Sequence, residues 1–178
     1  MTGVVVDASV ALAWCFPDEA SAYADAILVA LEGRTVLVPA VWPLEITNAV
    51  AVAERRKRIG PPEVRRFIEL LEGLTIRQDA LPAATSVSNI LPLAREHGLS
   101  AYDASYLEVA IRHGAPLATL DSGLEKAAEK QASKNYRPHC RPNSSGIAPS
   151  SLLREQRCHV RLSCGAQKKD PVATQPPS

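Results

Sequence analysis

A chain of 178 residues, 46% of them apolar, has the material for one domain with a real core and is not a wholly disordered polypeptide. No run approaches the roughly 20 apolar residues of a membrane-spanning helix, and no basic stretch precedes an apolar run and a cleavage site at the amino terminus. A cytoplasmic protein with no membrane partner is therefore expected. The net charge of +1 hides an asymmetry: residues 1–130 carry 12 Lys and Arg against 17 Asp and Glu, whereas residues 131–178 carry 8 against 2. Cys15 stands alone in the acidic body. Cys140, Cys158 and Cys164 lie in the basic tail without a C-x-x-C pair, and with His159 they fit no common zinc-finger spacing.

In chain order, Val4-Val5-Val6 is a β-branched run with no polar partner, the pattern of a strand buried on both faces in a parallel sheet. It ends at Asp7, and Ala8 to Trp14 reads as a short helix stopped near Pro17. Asp18 to Leu31 reads as a second helix closed by Gly33, and Val36 to Val38 as a second buried strand. From Pro43 a helix runs to Arg58 and Gly60; Pro61 opens another over Glu63 to Glu72, and Thr75 to Arg77 is a weak third strand. Ala83 to His97 is a helix interrupted or bent at Pro92, Leu99 to His113 the next helix, Ala115 to Thr119 the fourth strand, and Ser122 to Lys130 the last helix. Alternating strands and helices predict an α/β fold with a parallel sheet covered on both faces. Past about Ala132 apolar periodicity disappears, and that tail lacks the apolar content to offset its ordering entropy.

Four acids fall where strands end or helices begin: Asp7, Glu45, Asp103 and Asp121. Each has an ordinary explanation. Asp7 and Asp121 suit helix N-caps, Glu45 suits the positive end of a helix dipole, and Ser100-Ala101-Tyr102-Asp103 fits a capping box. Capping does not require its acids to converge, whereas a parallel sheet gathers helix starts along one edge, where ligands bind. Carboxylates sharing one notch repel each other unless a cation lies among them, and an oxygen-only donor set selects Mg²⁺ or Mn²⁺. Such an ion suits hydrolysis of a phosphodiester by activated water. Ser9, Asn48 and Thr119 are close enough in sequence to the acids to orient them or their ligands. Arg55 and Arg56 end the helix of Glu45. Arg56, eleven positions on, would project from the same face roughly 16 Å farther along, as a phosphate contact. Trp14, Trp42, Tyr102 and Tyr106 can stack on bases or pack in the core.

The fragments Val4-Val5-Val6-Asp7-Ala8-Ser9, Glu45-Ile46-Thr47-Asn48, Leu99 to Leu107 around Tyr102-Asp103, and Leu117-Ala118-Thr119-Leu120-Asp121, in that order, resemble the PIN-domain family and within it the VapC-type toxins of toxin–antitoxin pairs. The resemblance implies a three-layer fold with sheet order 3-2-1-4-5, a Mg²⁺-dependent endoribonuclease, a homodimer, and inhibition by a cognate antitoxin. It makes Asp7 and Asp103 the leading metal ligands with Asp121 a third, and Glu45 the fourth catalytic acid. The nuclease domain would span 1–130. Family members usually follow the last helix with a fifth strand. Here Glu129-Lys130-Gln131-Ala132 runs instead into the patternless segment 131–178, as a shift of reading frame there would produce, so an order 3-2-1-4 without a regular fifth edge strand is expected.

Two other readings compete. A haloacid-dehalogenase-type phosphatase also begins with a strand ending in Asp, but needs a second Asp where this chain has Ser9. A PIN-like module that only binds an antitoxin would not need all four acids.

Overall fold

The computed structural model describes residues 3–135, and at their centre lies β1 (Val4–Val6). On one side β1 pairs with β2 (Thr35–Pro39) and on the other with β4 (Leu117–Ala118), while β3 (Thr75–Asp79) lies beyond β2. All pairings are parallel, in the expected order β3-β2-β1-β4, with Val5 opposite Leu37 and Leu117. Successive strand residues point to opposite faces, yet Val4, Val5 and Val6 are all buried, as are Val36, Leu37 and Val38. Both faces of the central strands are therefore covered. Full burial stabilises each valine by roughly 1.5–3 kcal/mol, which makes β1 the anchor of the core.

Seven helices flank the sheet among the described residues: α1 (Ala8–Cys15), α2 (Ala22–Ala30), α3 (Trp42–Arg55), α4 (Pro61–Glu72), α5 (Ala83–His97), α6 (Ala101–His113) and α7 (Ser122–Asn135). The most enclosed is α6, buried from Ala104 through Ala110 and packed on β1, β2 and β4. None of the described helices is long and apolar enough to cross a membrane.

Several boundaries differ from the sequence expectation, each for a local reason. The helix expected from Asp18 is split, because Pro17–Glu19 forms a 3₁₀ turn and Ser21 then caps α2 by accepting the Ala24 N–H at 3.1 Å. Asp18 and Glu19 instead bind Arg58, whose guanidinium also lies 4.1 Å over the Phe16 ring. That grip pulls the chain out of the helix, so α3 stops at Arg55 rather than Arg58, with Lys57 at φ 55°. Strand β3 is longer than expected because its pairing with β2 continues to Pro39 opposite Asp79. Strand β4 is shorter, since the Ala115 N–H closes α6 on Ala110 O and Thr119 turns its hydroxyl to Asp7. Helix α5 runs unbroken past Pro92; Pro92 and Ser88 are exposed, where water can serve the carbonyl that the ring leaves without a donor. Helix α7 continues to Asn135, into the segment assigned by sequence to the tail. The remainder of that tail, with the question of a fifth strand and the Cys140, Cys158, His159 and Cys164 group, lies outside the described residues.

Candidate active site

The carboxyl end of β1 delivers Asp7 into a buried position, 6% exposed. Its backbone N–H donates to Ala118 O of β4 at 2.9 Å, so the neighbouring strand fixes the residue before its side chain is considered. Although Asp7 is the N-cap residue of α1, its side chain makes no capping bond there. Two hydroxyls hold it instead. Ser9 Oγ donates to Asp7 Oδ2 at 2.5 Å and Thr119 Oγ1 donates to the same oxygen at 2.8 Å. Each hydroxyl also accepts a backbone N–H from the loop after β4, Ser9 from Leu120 and Thr119 from Asp121, both at 3.0 Å. Two hydroxyls thus tie that loop to one carboxylate. Burial pushes the Asp7 carboxyl above its ordinary value; the hydroxyls lower it in part and the charge of Asp103 raises it further.

Glu45, in the first turn of α3, is half-buried and accepts a hydrogen bond from the Tyr106 hydroxyl of α6. Desolvation raises its carboxyl above the usual range against the opposing effect of that bond, and the charges of Asp7 and Asp103 add to the rise. Asp103, in the first turn of α6, accepts the Ser100 hydroxyl at 2.7 Å while its own N–H donates to Ser100 Oγ at 3.0 Å. The capping role foreseen for Ser100 is therefore real and coexists with a place beside Asp7 and Glu45. The charge of Asp103 acts on Asp7, and the charges of Asp7 and Asp103 act on Glu45.

Asp121 is held differently: its Oδ1 caps α7 by accepting the Leu124 N–H at 2.7 Å, and its N–H donates to Thr119 Oγ1, the hydroxyl that also holds Asp7. Asn48, one turn beyond Glu45, is exposed, as are Arg55 and the helix-capping Arg56. Trp14 donates its indole N–H to Ala24 O at 2.9 Å and Trp42 is buried, so both serve packing, whereas Tyr102 is 60% exposed. The residue that sequence reading did not place at the site is Tyr106. Its signal was its spacing: three positions after Asp103 on a helix, it shares that residue's face.

The arrangement is a notch of oxygen donors with a surplus of negative charge, suited to a hard divalent cation. Among the described residues, however, no three His, Cys, Asp or Glu side chains form a ready-made ligand set. The donor chemistry fits such an ion; the carboxylates must draw together, or work through water, to hold it.

The PIN domain family matches residues 4–130, a span that takes in every one of these acids. The chain belongs to the PIN domain family. PIN domains are generally metal-dependent nucleases acting on RNA or DNA. Among solved structures, the chain is similar to PAE2754 from Pyrobaculum aerophilum, at 25% identity and a TM-score of 0.55, over 75% of this chain and 88% of that one. No curated protein matches the chain in sequence. The family's parallel α/β architecture is the one described above, and its acidic notch lies at the carboxyl end of the central strand, where an open α/β sheet binds its ligands.

Proposed function

We propose that this PIN domain is a Mg²⁺-dependent endoribonuclease of the VapC toxin type, acting as a homodimer and neutralised by a cognate antitoxin. What supports the nuclease reading is the PIN family match over residues 4–130, together with the placing of Asp7 at the end of the central strand and of Glu45 and Asp103 in the first turns of α3 and α6, which the Tyr106 hydroxyl joins. A bound Mg²⁺, or Mn²⁺ in its place, supplies polarisation of the phosphodiester and activation of the attacking water.

The chain's own groups divide the remaining work. Asp7 and Asp103 are the principal ligands, Glu45 faces them from α3, and Ser9 and Thr119 keep the Asp7 carboxylate from rotating. Asp121 completes the acid set with the oxygen that does not cap Leu124. Arg55 and Arg56, exposed at the far end of α3, contact RNA phosphates beside the cut, and Asn48 lies along the way.

The test is cleavage of a single-stranded RNA by purified protein. Chelator stops it, Mg²⁺ restores it, and Asp7→Ala and Asp103→Ala remove it while leaving the fold intact. Cutting that persists in both variants excludes this site. The alternative is a PIN module that only binds an antitoxin. Under that reading the wild-type protein cuts no RNA at any Mg²⁺ concentration.

A further inference from the structure

Each of the three acids in the notch is gripped by a hydroxyl. Asp7 has Ser9 and Thr119, Asp103 has Ser100, and Glu45 has Tyr106. Ser9 and Ser100 lie within three residues of their acids, and Thr119 reaches Asp7 from the loop after β4, the strand paired with β1. Tyr106 differs: it is fully buried, at 0% exposure, and reaches across 61 positions of sequence to join α6 to α3.

We infer that Tyr106 is a positioning residue that holds Glu45 at the notch, against the repulsion of Asp7 and Asp103, so that Glu45 is already ordered when a divalent cation draws the carboxylates together or binds them through water. The inference rests on reading the notch as a cation site. Glutamate has three rotatable side-chain bonds, and without a partner it would swing toward solvent, away from two like charges. Tyrosine has only two, and at this position the surrounding core fixes both. A hydrogen bond from a fixed hydroxyl to an ionised acceptor is among the stronger kinds, and it transfers the rigidity of α6 to the side chain of α3. The entropy of ordering Glu45 is then lost on folding rather than on cation binding. Packing alone does not explain the residue. Phenylalanine would fill the same space without a hydroxyl that must find a partner.

The test is Tyr106→Phe in the full chain, with Mn²⁺ affinity read from the free-ion electron paramagnetic resonance signal and the metal-free melting temperature read alongside. The expected result is a Mn²⁺ dissociation constant about tenfold higher, the usual scale for groups that orient a ligand, with the metal-free melting temperature moved by only a few degrees. On a Glu45→Gln background the same change adds nothing. If Tyr106→Phe does not fold, Tyr106→Met, which also lacks the hydroxyl, must show the same loss. Unchanged affinity, or an equal loss on the Glu45→Gln background, overturns the role of Tyr106 alone. Wild-type protein that binds no Mn²⁺, or binds it as well after Asp7→Asn, overturns the cation site and this role together.

Discussion

Two groups of acids in this domain share the same chemistry and meet opposite fates. At the notch, Asp7, Glu45 and Asp103 face one another with hydroxyls as their side-chain partners. Elsewhere, Asp79 of β3 and Glu108 of α6 face cations. Arg112 donates to Glu108 through Nε at 2.8 Å and Nη2 at 3.1 Å, and through Nη1 to Asp79 at 3.0 Å. His113 also meets Asp79, and Asn89 donates to Glu108 at 3.1 Å. Burial would raise the Asp79 carboxyl, but its bonds to Arg112 and His113 outweigh that and hold it below the ordinary value, the reverse of Asp7 and Glu45. The second group is finished by the fold. The first is left wanting positive charge, and burial does not set the two apart, since Glu108 is as buried as Asp7 at 6%.

The largest expected effect that could break this contrast is on activity. Asp7→Ala should lower RNA cleavage by about a thousandfold or more, because it removes several kcal/mol of metal-supplied stabilisation. Asp79→Ala should leave cleavage within a few-fold of wild type. Equal losses in a cleavage assay would erase the distinction. Stability should respond in the opposite order. Asp79→Ala removes the acceptor shared by Arg112 and His113, though Arg112 keeps Glu108, and costs about 2 kcal/mol, whereas Asp7→Asn relieves repulsion and should stabilise the metal-free protein on the order of 1 kcal/mol, both read by urea denaturation.

The two groups also predict opposite pH trends. Asp7 and Glu45 titrate above their unfolded values, so the folded state binds more protons than the unfolded one, and metal-free stability falls as pH rises through that window. Asp79 titrates below its unfolded value, so its contribution is present above that value and is lost as pH falls through the lowered one. Denaturation of Asp7→Asn and Asp79→Asn against pH should flatten the first trend and the second respectively. Mg²⁺ at ten times its dissociation constant should add about 1.4 kcal/mol to the wild type and much less to Asp7→Asn. The smallest effect concerns the edge of the site: Arg55→Ala and Arg56→Ala should each reduce the salt dependence of RNA binding by about one unit of slope, measured by filter binding.

Much of this was legible in the sequence because the relevant signals are local. Val4-Val5-Val6 before Asp7 marks a central strand and its carboxylate in four consecutive positions, and Ser9 two residues on is near Asp7 by necessity. Gly98 and Gly114, both at positive φ, end α5 and α6 where glycine punctuation suggested. Long-range pairings were not visible. Nothing near Asp18 announces that it will bind Arg58, 40 positions away, so the late start of α2 at Ala22 and the end of α3 at Arg55 were missed together. Tyr106 read as packing because its hydroxyl partner is on another helix. For Asp121 the sequence shows that an acid follows a strand, not that one of its oxygens caps α7 at Leu124.

The most direct measurement is a crystal structure of the full chain soaked in Mn²⁺, with anomalous difference density collected at the manganese edge. The account predicts a peak among the oxygens of Asp7, Glu45 and Asp103, and none at Asp79 and Glu108. A peak at the Arg112 network, or an empty notch at saturating Mn²⁺, would contradict it.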